Sequence, residues 1–195
     1  MCVICISPKG IRQPFKDELQ SMWQRNPHGA GYMVARDDHV EIHKGFMDFY
    51  EFYNQLQFEK FTPDDVVVYH FRIATQAGIT PEMCHPFPYT TTTEGLKALD
   101  VHCRVGIAHN GIIRMTSTGD PDLSDTALYI RDYLPKRIKN GLNDMALKAI
   151  YRDIKSKMVF LFPDGQYKTV GEWEEVGGLI YSNTFHAIQF HNIYI

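Results

Sequence analysis

A chain of 195 residues can bury one substantial core, whereas two full domains would be cramped. Apolar residues make up 44% and charged residues 22%, the balance of a soluble globular protein, and no apolar run approaches the roughly 20 residues of a bilayer span. A net charge of −3 without any basic run argues against nucleic acid as a partner, and Pro8-Lys9-Gly10 follows the first apolar residues where a secretory signal would continue.

In chain order, CVICIS (2–7) is a short strand. Phe15, Leu19, Met22 and Trp23 recur at helical spacing between Pro14 and Asn26-Pro27, which predicts a helix over 14–25. GAGYMVARDD and HVEIHKG are two strands joined at Asp37-Asp38, and Phe49, Phe52, Tyr53 and Leu56 mark a second helix. VVVYHFRIAT (66–75) is β-branched and aromatic, and its continuous apolarity suggests a strand covered on both faces. TTTTEG (90–95) is an exposed loop, and VHCRVGIAHNG (101–111) is one further doubly covered strand. Leu123, Ala127, Ile130 and Leu134 form a helical stripe that stops at Pro135; Leu147, Ile150, Tyr151 and Ile154 form another. MVFLFPDGQYKTV is a hairpin turning at Asp164-Gly165, and GGLIYSNT and AIQFHNIYI supply late strands. Helices cluster between early and late strands, which predicts an α+β fold with two sheets packed on each other and helices outside.

The cysteines are Cys2, Cys5, Cys84 and Cys103. Cys2 and Cys5 are three apart on a strand and point to opposite faces, so they do not read as a redox pair. Free thiols in a cytoplasmic setting are expected. None of the nine histidines is paired as H-x-x-x-H on a predicted helix or flanked by matching carboxylates and cysteines, so no metal is expected.

Five stretches suggest chemistry. Cys2 becomes the first residue if Met1 is removed, and would then carry an α-amine beside its thiol. In HFRIATQAG (70–78) the alternation puts His70 and Arg72 on one face of the strand end, and the guanidinium fork of Arg72 suits a carboxylate or simply the surface. In AHNG (108–111) the amide of Asn110 and the backbone N–H of Gly111 can aim at one oxygen, as an oxyanion hole requires, or form an ordinary tight turn. Asp125 starts a predicted helix, where it either caps the helix or grips an amine. His85, in the stiff EMCHPFP loop, could line a pocket.

Taken in order, Met1-Cys2, His70-x-Arg72-x-Ala74-Thr75, His85-Pro86, His109-Asn110-Gly111, Ser124-Asp125 and Tyr181-Ser182-Asn183 resemble the class II glutamine amidotransferase domain of the N-terminal-nucleophile hydrolases. The resemblance spans nearly the whole chain and implies a four-layer αββα sandwich of two mainly antiparallel sheets, one domain over 1–195. It implies Cys2 as the nucleophile with its own α-amine as proton acceptor, and Asn110 and Gly111 as stabilisers of the tetrahedral oxyanion. Arg72 would hold the α-carboxylate of glutamine and Asp125 its α-ammonium, with Thr75 and His85 also at the substrate. The implied reaction passes through a γ-glutamyl thioester at Cys2, releases ammonia and then glutamate, and uses no cofactor. A separate ammonia-accepting synthetase is the implied partner, with neither nucleic acid nor membrane involved.

Four departures stand out. Val3 follows the nucleophile where familiar members have glycine, and Ile73 and Gln76 replace the aromatic and histidine of the R-W-A-T-H-G pattern, with Ala77 before the glycine. Ile73 and Gln76 leave open a hydrolase of another γ-glutamyl or simple amide; retention of Met1, which would put the α-amine on the wrong residue, would instead favour a non-catalytic binding module of the same fold.

Overall fold

The computed structural model describes residues 1–74, 78–114 and 120–185. The first strand, β1 (Val3–Ser7), is buried along its whole length, as its β-branched sequence requires. Its period-two alternation serves two cores. Val3 and Cys5 join Leu19, Met22, Phe49 and Phe52, while Ile4 and Ile6 join Ala108, Val159 and Leu161.

β1 lies inside a seven-stranded antiparallel sheet with β2 (Ala30–Arg36), β3 (His39–Phe46), β4 (Val67–Phe71), β6 (Asp100–Cys103), β10 (Glu174–Val176) and β11 (Leu179–Tyr181). The order is β10-β11-β1-β4-β2-β3-β6. A four-stranded antiparallel sheet follows the order β5-β7-β8-β9, from β5 (Phe87–Pro88), β7 (Gly106–Asn110), β8 (Lys157–Leu161) and β9 (Tyr167–Val170).

Helices α1 (Lys16–Arg25) and α2 (Phe49–Glu59) place Leu19, Met22, Phe49, Phe52 and Leu56 against the outer face of the larger sheet. Asp48 caps α2, accepting from the N–H groups of Tyr50 and Glu51 at 2.8 and 3.1 Å. On the outer face of the smaller sheet lie α3 (Thr93–Lys97), α4 (Asp125–Leu128), α5 (Leu134–Arg137) and α6 (Asp144–Ile154), which bury Leu96, Ala127, Leu134, Ile150 and Ile154 with Ile107 and Phe160. The architecture is α+β with two antiparallel sheets, compatible with the expected sandwich. No helix among the described residues is long and apolar enough to cross a membrane.

Several local expectations are corrected. Residues 101–111 form two strands: β6 closes the edge of the larger sheet, and after Arg104-Val105 the chain enters β7 in the smaller one. TTTTEG is no plain loop, because Thr92 accepts from Gly95 N at 3.2 Å and starts α3. Phe15 is the cap residue of α1 and is exposed beneath the Arg12 guanidinium at 4.0 Å, not part of the buried stripe. Tyr151 is also exposed, so Ala146, Ile150 and Ile154 form the buried face of α6. The helix does not stop at Pro135: a π-turn at Tyr129–Tyr133 joins α4 to α5, and its wider hydrogen-bond spacing accommodates a residue that lacks an N–H. β10 was not foreseen, and the strand expected at AIQFHNIYI falls outside the described residues.

Candidate active site

A cleft of about 850 Å³ is lined by residues at the strand ends of both sheets, among them Cys2 beside β1 and Asn110 of β7. Cys2, Ile73, Asn110, Gly111, Ser182 and Asn183 line its polar side. Cys2 arrives there because it continues β1 past Val3, which pairs with Phe71 of β4. Its Sγ accepts from Ile73 N at 3.4 Å and lies 3.6 Å from Ile73 O, while Asn183 Nδ2 donates to Cys2 O at 2.8 Å. Burial pushes the Cys2 thiol up; the Ile73 amide, the positive amino terminus and the Arg72 guanidinium oppose this. A thiol held protonated needs a base to become a nucleophile. Met1 is largely exposed and also lines the cleft.

Asn110 ends β7, opposite Lys157 of β8. Its Nδ2 donates to Ser182 Oγ at 2.9 Å, and Ser182 Oγ also accepts from Ile4 N at 2.9 Å. Ser182 N in turn donates to Ile4 O at 2.9 Å, and Lys157 Nζ donates to Ser182 O. Ser182 therefore ties β1 of one sheet to the Asn110 end of β7 in the other. Asn110 Oδ1 is buried and meets no hydrogen-bond partner among the described residues. Gly111 must be glycine on steric grounds: a Cβ there would lie 2.3 Å from Ser156 Cβ and 2.7 Å from its Oγ.

The other sequence-derived candidates are not part of this lining, although the Arg72 charge reaches the Cys2 thiol. Arg72 is buried, with its guanidinium donating to Gly78 O at 3.1 and 3.2 Å. Asp125 accepts from Ile113 N at 2.6 Å and Thr126 N at 2.7 Å. Burial pushes the Asp125 carboxyl up, against those two amides and the nearby charge of Arg72. Among the described residues, Arg72, Asp125 and His85 do not line the cleft. Thr75 lies outside the described residues.

His85 is buried in an aromatic stack, 4.3 Å from the His70 ring and 4.7 Å from Phe87, and neither ring nitrogen meets a partner among the described residues. His70 Nε2 lies 3.1 Å from His109 O, and His109 bridges Thr126 Oγ1 at 2.8 Å and Ser156 Oγ at 2.7 Å. Burial holds all three imidazoles neutral, pushing His70 and His109 down to about 3 and His85 well below the usual range. The glycine-rich GAGYM segment packs against the same loop: a Cβ on Gly31 would lie 2.4 Å from His85 O.

Ser156, Lys157 and Ser182 were not foreseen as site residues. Ser182 lay within the Tyr181-Ser182-Asn183 motif; Ser156, just past the left-handed cap Lys155, carries no sequence signal.

Compared with known proteins, the fold has a solved counterpart. It is the glutamine phosphoribosylpyrophosphate (PRPP) amidotransferase of B. subtilis, complexed with ADP and GMP. The TM-score is 0.50 at 16% identity, over 93% of this chain and 42% of that one. The likeness is one of fold. This chain spans less than half the length of that protein. No family model matches the sequence, and no curated protein matches it.

Proposed function

We propose that this chain is a glutamine amidohydrolase that uses Cys2 as an N-terminal nucleophile, in a single catalytic domain over 1–195 with the four-layer sandwich of that hydrolase class. One observation carries this reading: Cys2 from one sheet and Asn110 with Gly111 from the other line the same cleft. The shared fold with a glutamine-dependent amidotransferase supports it.

In this reading, removal of Met1 leaves Cys2 with a free α-amine, whose pKa of about 7.7–8.0 suits a base near neutrality. The amine takes the thiol proton as Sγ attacks the side-chain carbonyl carbon of glutamine. Asn110 and Gly111 donate to the resulting oxyanion, and one such donor is worth about 2.7–4 kcal/mol of barrier. The tetrahedral intermediate collapses, the C–N bond breaks, and the proton leaves with ammonia. Water then attacks the γ-glutamyl thioester, restoring the thiol and releasing glutamate. Arg72 and Asp125, electrostatically coupled to each other, bind the α-carboxylate and α-ammonium, with Thr75 and His85 supporting the substrate-side loops. The ammonia passes to a separate synthetase, and the enzyme works in the cytoplasm.

The test is the intact mass of the purified protein with and without a diazo-ketone analogue of glutamine. Loss of Met1 and one covalent adduct, absent in Cys2→Ala, is the expected result; retained Met1 with no adduct would sink the proposal.

A second reading has its own observation. Arg114, Arg152, Lys155 and Lys157 outnumber the carboxylates Asp153 and Glu174 in the cleft lining, and its 850 Å³ is generous for glutamine alone. A γ-glutamyl dipeptide, with an extra carboxylate, would engage that cationic side. Release of glutamate from γ-glutamyl dipeptides but not from glutamine would select this reading.

A further inference from the structure

Far from the cleft, the outer face of the larger sheet carries side chains that the reading above does not use. Along β3, Val40 and Ile42 point into the core between the sheets, so His39, Glu41 and His43 point the other way. The register of β6 sets His102 opposite Glu41 and Asp100 opposite His43.

Glu41 Oε1 lies 3.4 Å from His39 Nε2 and 3.9 Å from His102 Nε2. The ligand atoms of these three residues all lie within 4.8 Å of one another, and the two imidazole rings face each other at 4.4 Å. A tetrahedral zinc ion with bonds of about 2.0–2.1 Å holds its ligand atoms roughly 3.3 Å apart. One edge of such a tetrahedron is already close to that spacing. The others close by a small rotation of His102, whose side chain is 68% exposed.

The groups behind these ligands point the same way. His39 Nδ1 lies 2.5 Å from Asp38 Oδ1, and Glu41 Oε2 accepts from Arg36 Nε at 2.8 Å. The far atoms of His39 and Glu41 are thus engaged, which fixes that ring and carboxylate and leaves Nε2 and Oε1 as their remaining ligand atoms. A carboxylate on the far nitrogen of a histidine is the usual support of a metal ligand. His43 differs, since its Nδ1 is taken by Asp100 at 2.7 Å one rung along.

We propose that His39, Glu41 and His102 bind a divalent transition-metal ion of the zinc type, with a fourth position open to solvent. Two imidazoles and one carboxylate favour zinc and its neighbours over magnesium or calcium, which prefer all-oxygen shells. Because two ligands come from β3 and one from β6, the ion would clip the edge strand to the sheet.

The test uses the untagged full chain, stripped with chelator, titrated calorimetrically with Zn²⁺ and followed with Co²⁺ by visible absorption. One ion per chain and tetrahedral cobalt bands are expected. His39→Ala and His102→Ala should each weaken Zn²⁺ binding at least about tenfold. Asp38→Asn should weaken it by about 10–100-fold through orientation. His43→Ala should bind as the parent does. Urea unfolding of the metal-free variants checks that each is folded. Absence of binding in the folded parent, equal affinity in the His39→Ala/His102→Ala double variant, or an equal loss in His43→Ala would overturn the assignment.

Discussion

Gly111→Ala is the substitution for which the structure gives the clearest magnitude. The new Cβ would start 2.3 Å from Ser156 Cβ, 2.7 Å from Ser156 Oγ and 3.2 Å from His109 Nε2. Carbon atoms rest at about 3.5–4.0 Å, so one side must retreat by at least about 1.2 Å. Neither side yields easily, because Asn110 and Lys157 are paired across the β7–β8 ladder and Ser156 lies beside both. Overpacking of this kind costs about 1–3 kcal/mol, and breaking the Ser156–His109 hydrogen bond adds about 1 kcal/mol. A total of about 2–4 kcal/mol, with a urea dependence of about 2 kcal/mol per molar, lowers the unfolding midpoint by about 1–2 M. The backbone adds to this loss, since φ at Gly111 is 156°, a strain of about 1 kcal/mol for alanine. Ser156→Gly separates the two causes by deleting the atoms that clash. In that background Gly111→Ala should cost only the backbone share, about 1 kcal/mol. Equal costs in the two backgrounds would refute the steric explanation.

Three further outcomes follow from the same contacts. His70, His85 and His109 are held neutral by burial, whereas an unfolded histidine takes its proton near pH 6.5, so stability is complete above that pH and lost as the solution is acidified toward about 3. The three together steepen the loss by up to about 4 kcal/mol per pH unit, and urea midpoints at pH 7.5, 6 and 5 should show a shallower fall in His85→Phe; an unchanged slope would contradict the assignment. Ser182→Ala removes the acceptor shared by Ile4 N and Asn110 Nδ2, and should destabilise the chain by about 2–4 kcal/mol in the same assay, with a midpoint within error of the parent as the contrary result. Lys44 Nζ donates to Glu82 O at 2.8 Å and Leu96 O at 2.7 Å and sits 3.9 Å from the Phe87 ring centroid, so Lys44→Met should cost about 2 kcal/mol or more and speed exchange of the amides in 81–97; an unchanged exchange rate there would count against it.

The strands were legible because β-branched and aromatic runs such as Val67–Phe71 leave few alternatives to a covered sheet. The break at Arg104-Val105 was not. Both sides of it are apolar enough to be strand, and only the register against β3 and β8 reveals that they belong to different sheets. Pro135 misled for a related reason: proline forbids one hydrogen bond, and a π-turn is a tertiary answer that periodicity does not encode. Cys2, Asn110 and Gly111 share the lining of one cleft because of where they sit on their strands, Cys2 just before β1 and Asn110 with Gly111 at the end of β7. Ser156 was silent, since its importance lies in what it touches across the ladder. The His39, Glu41 and His102 group escaped a search for helical metal spacing because its ligands are two apart on one strand and opposite one another on the next.

The two-residue passage from Cys103 to Gly106 has a mechanical meaning. One sheet carries the thiol and the other carries the amide donors, and a strand that slips by one residue travels about 3.3–3.4 Å. Such a slip would pull Asn110 out of reach of anything attached to Cys2. The short covalent passage at one end and the Ser182 bridge at the other restrain the two sheets like a hinge pin and a latch, so the gap between thiol and amide becomes a property of the whole sandwich. Under the function proposed above, catalytic alignment and global stability should therefore fall together when either fastening is loosened.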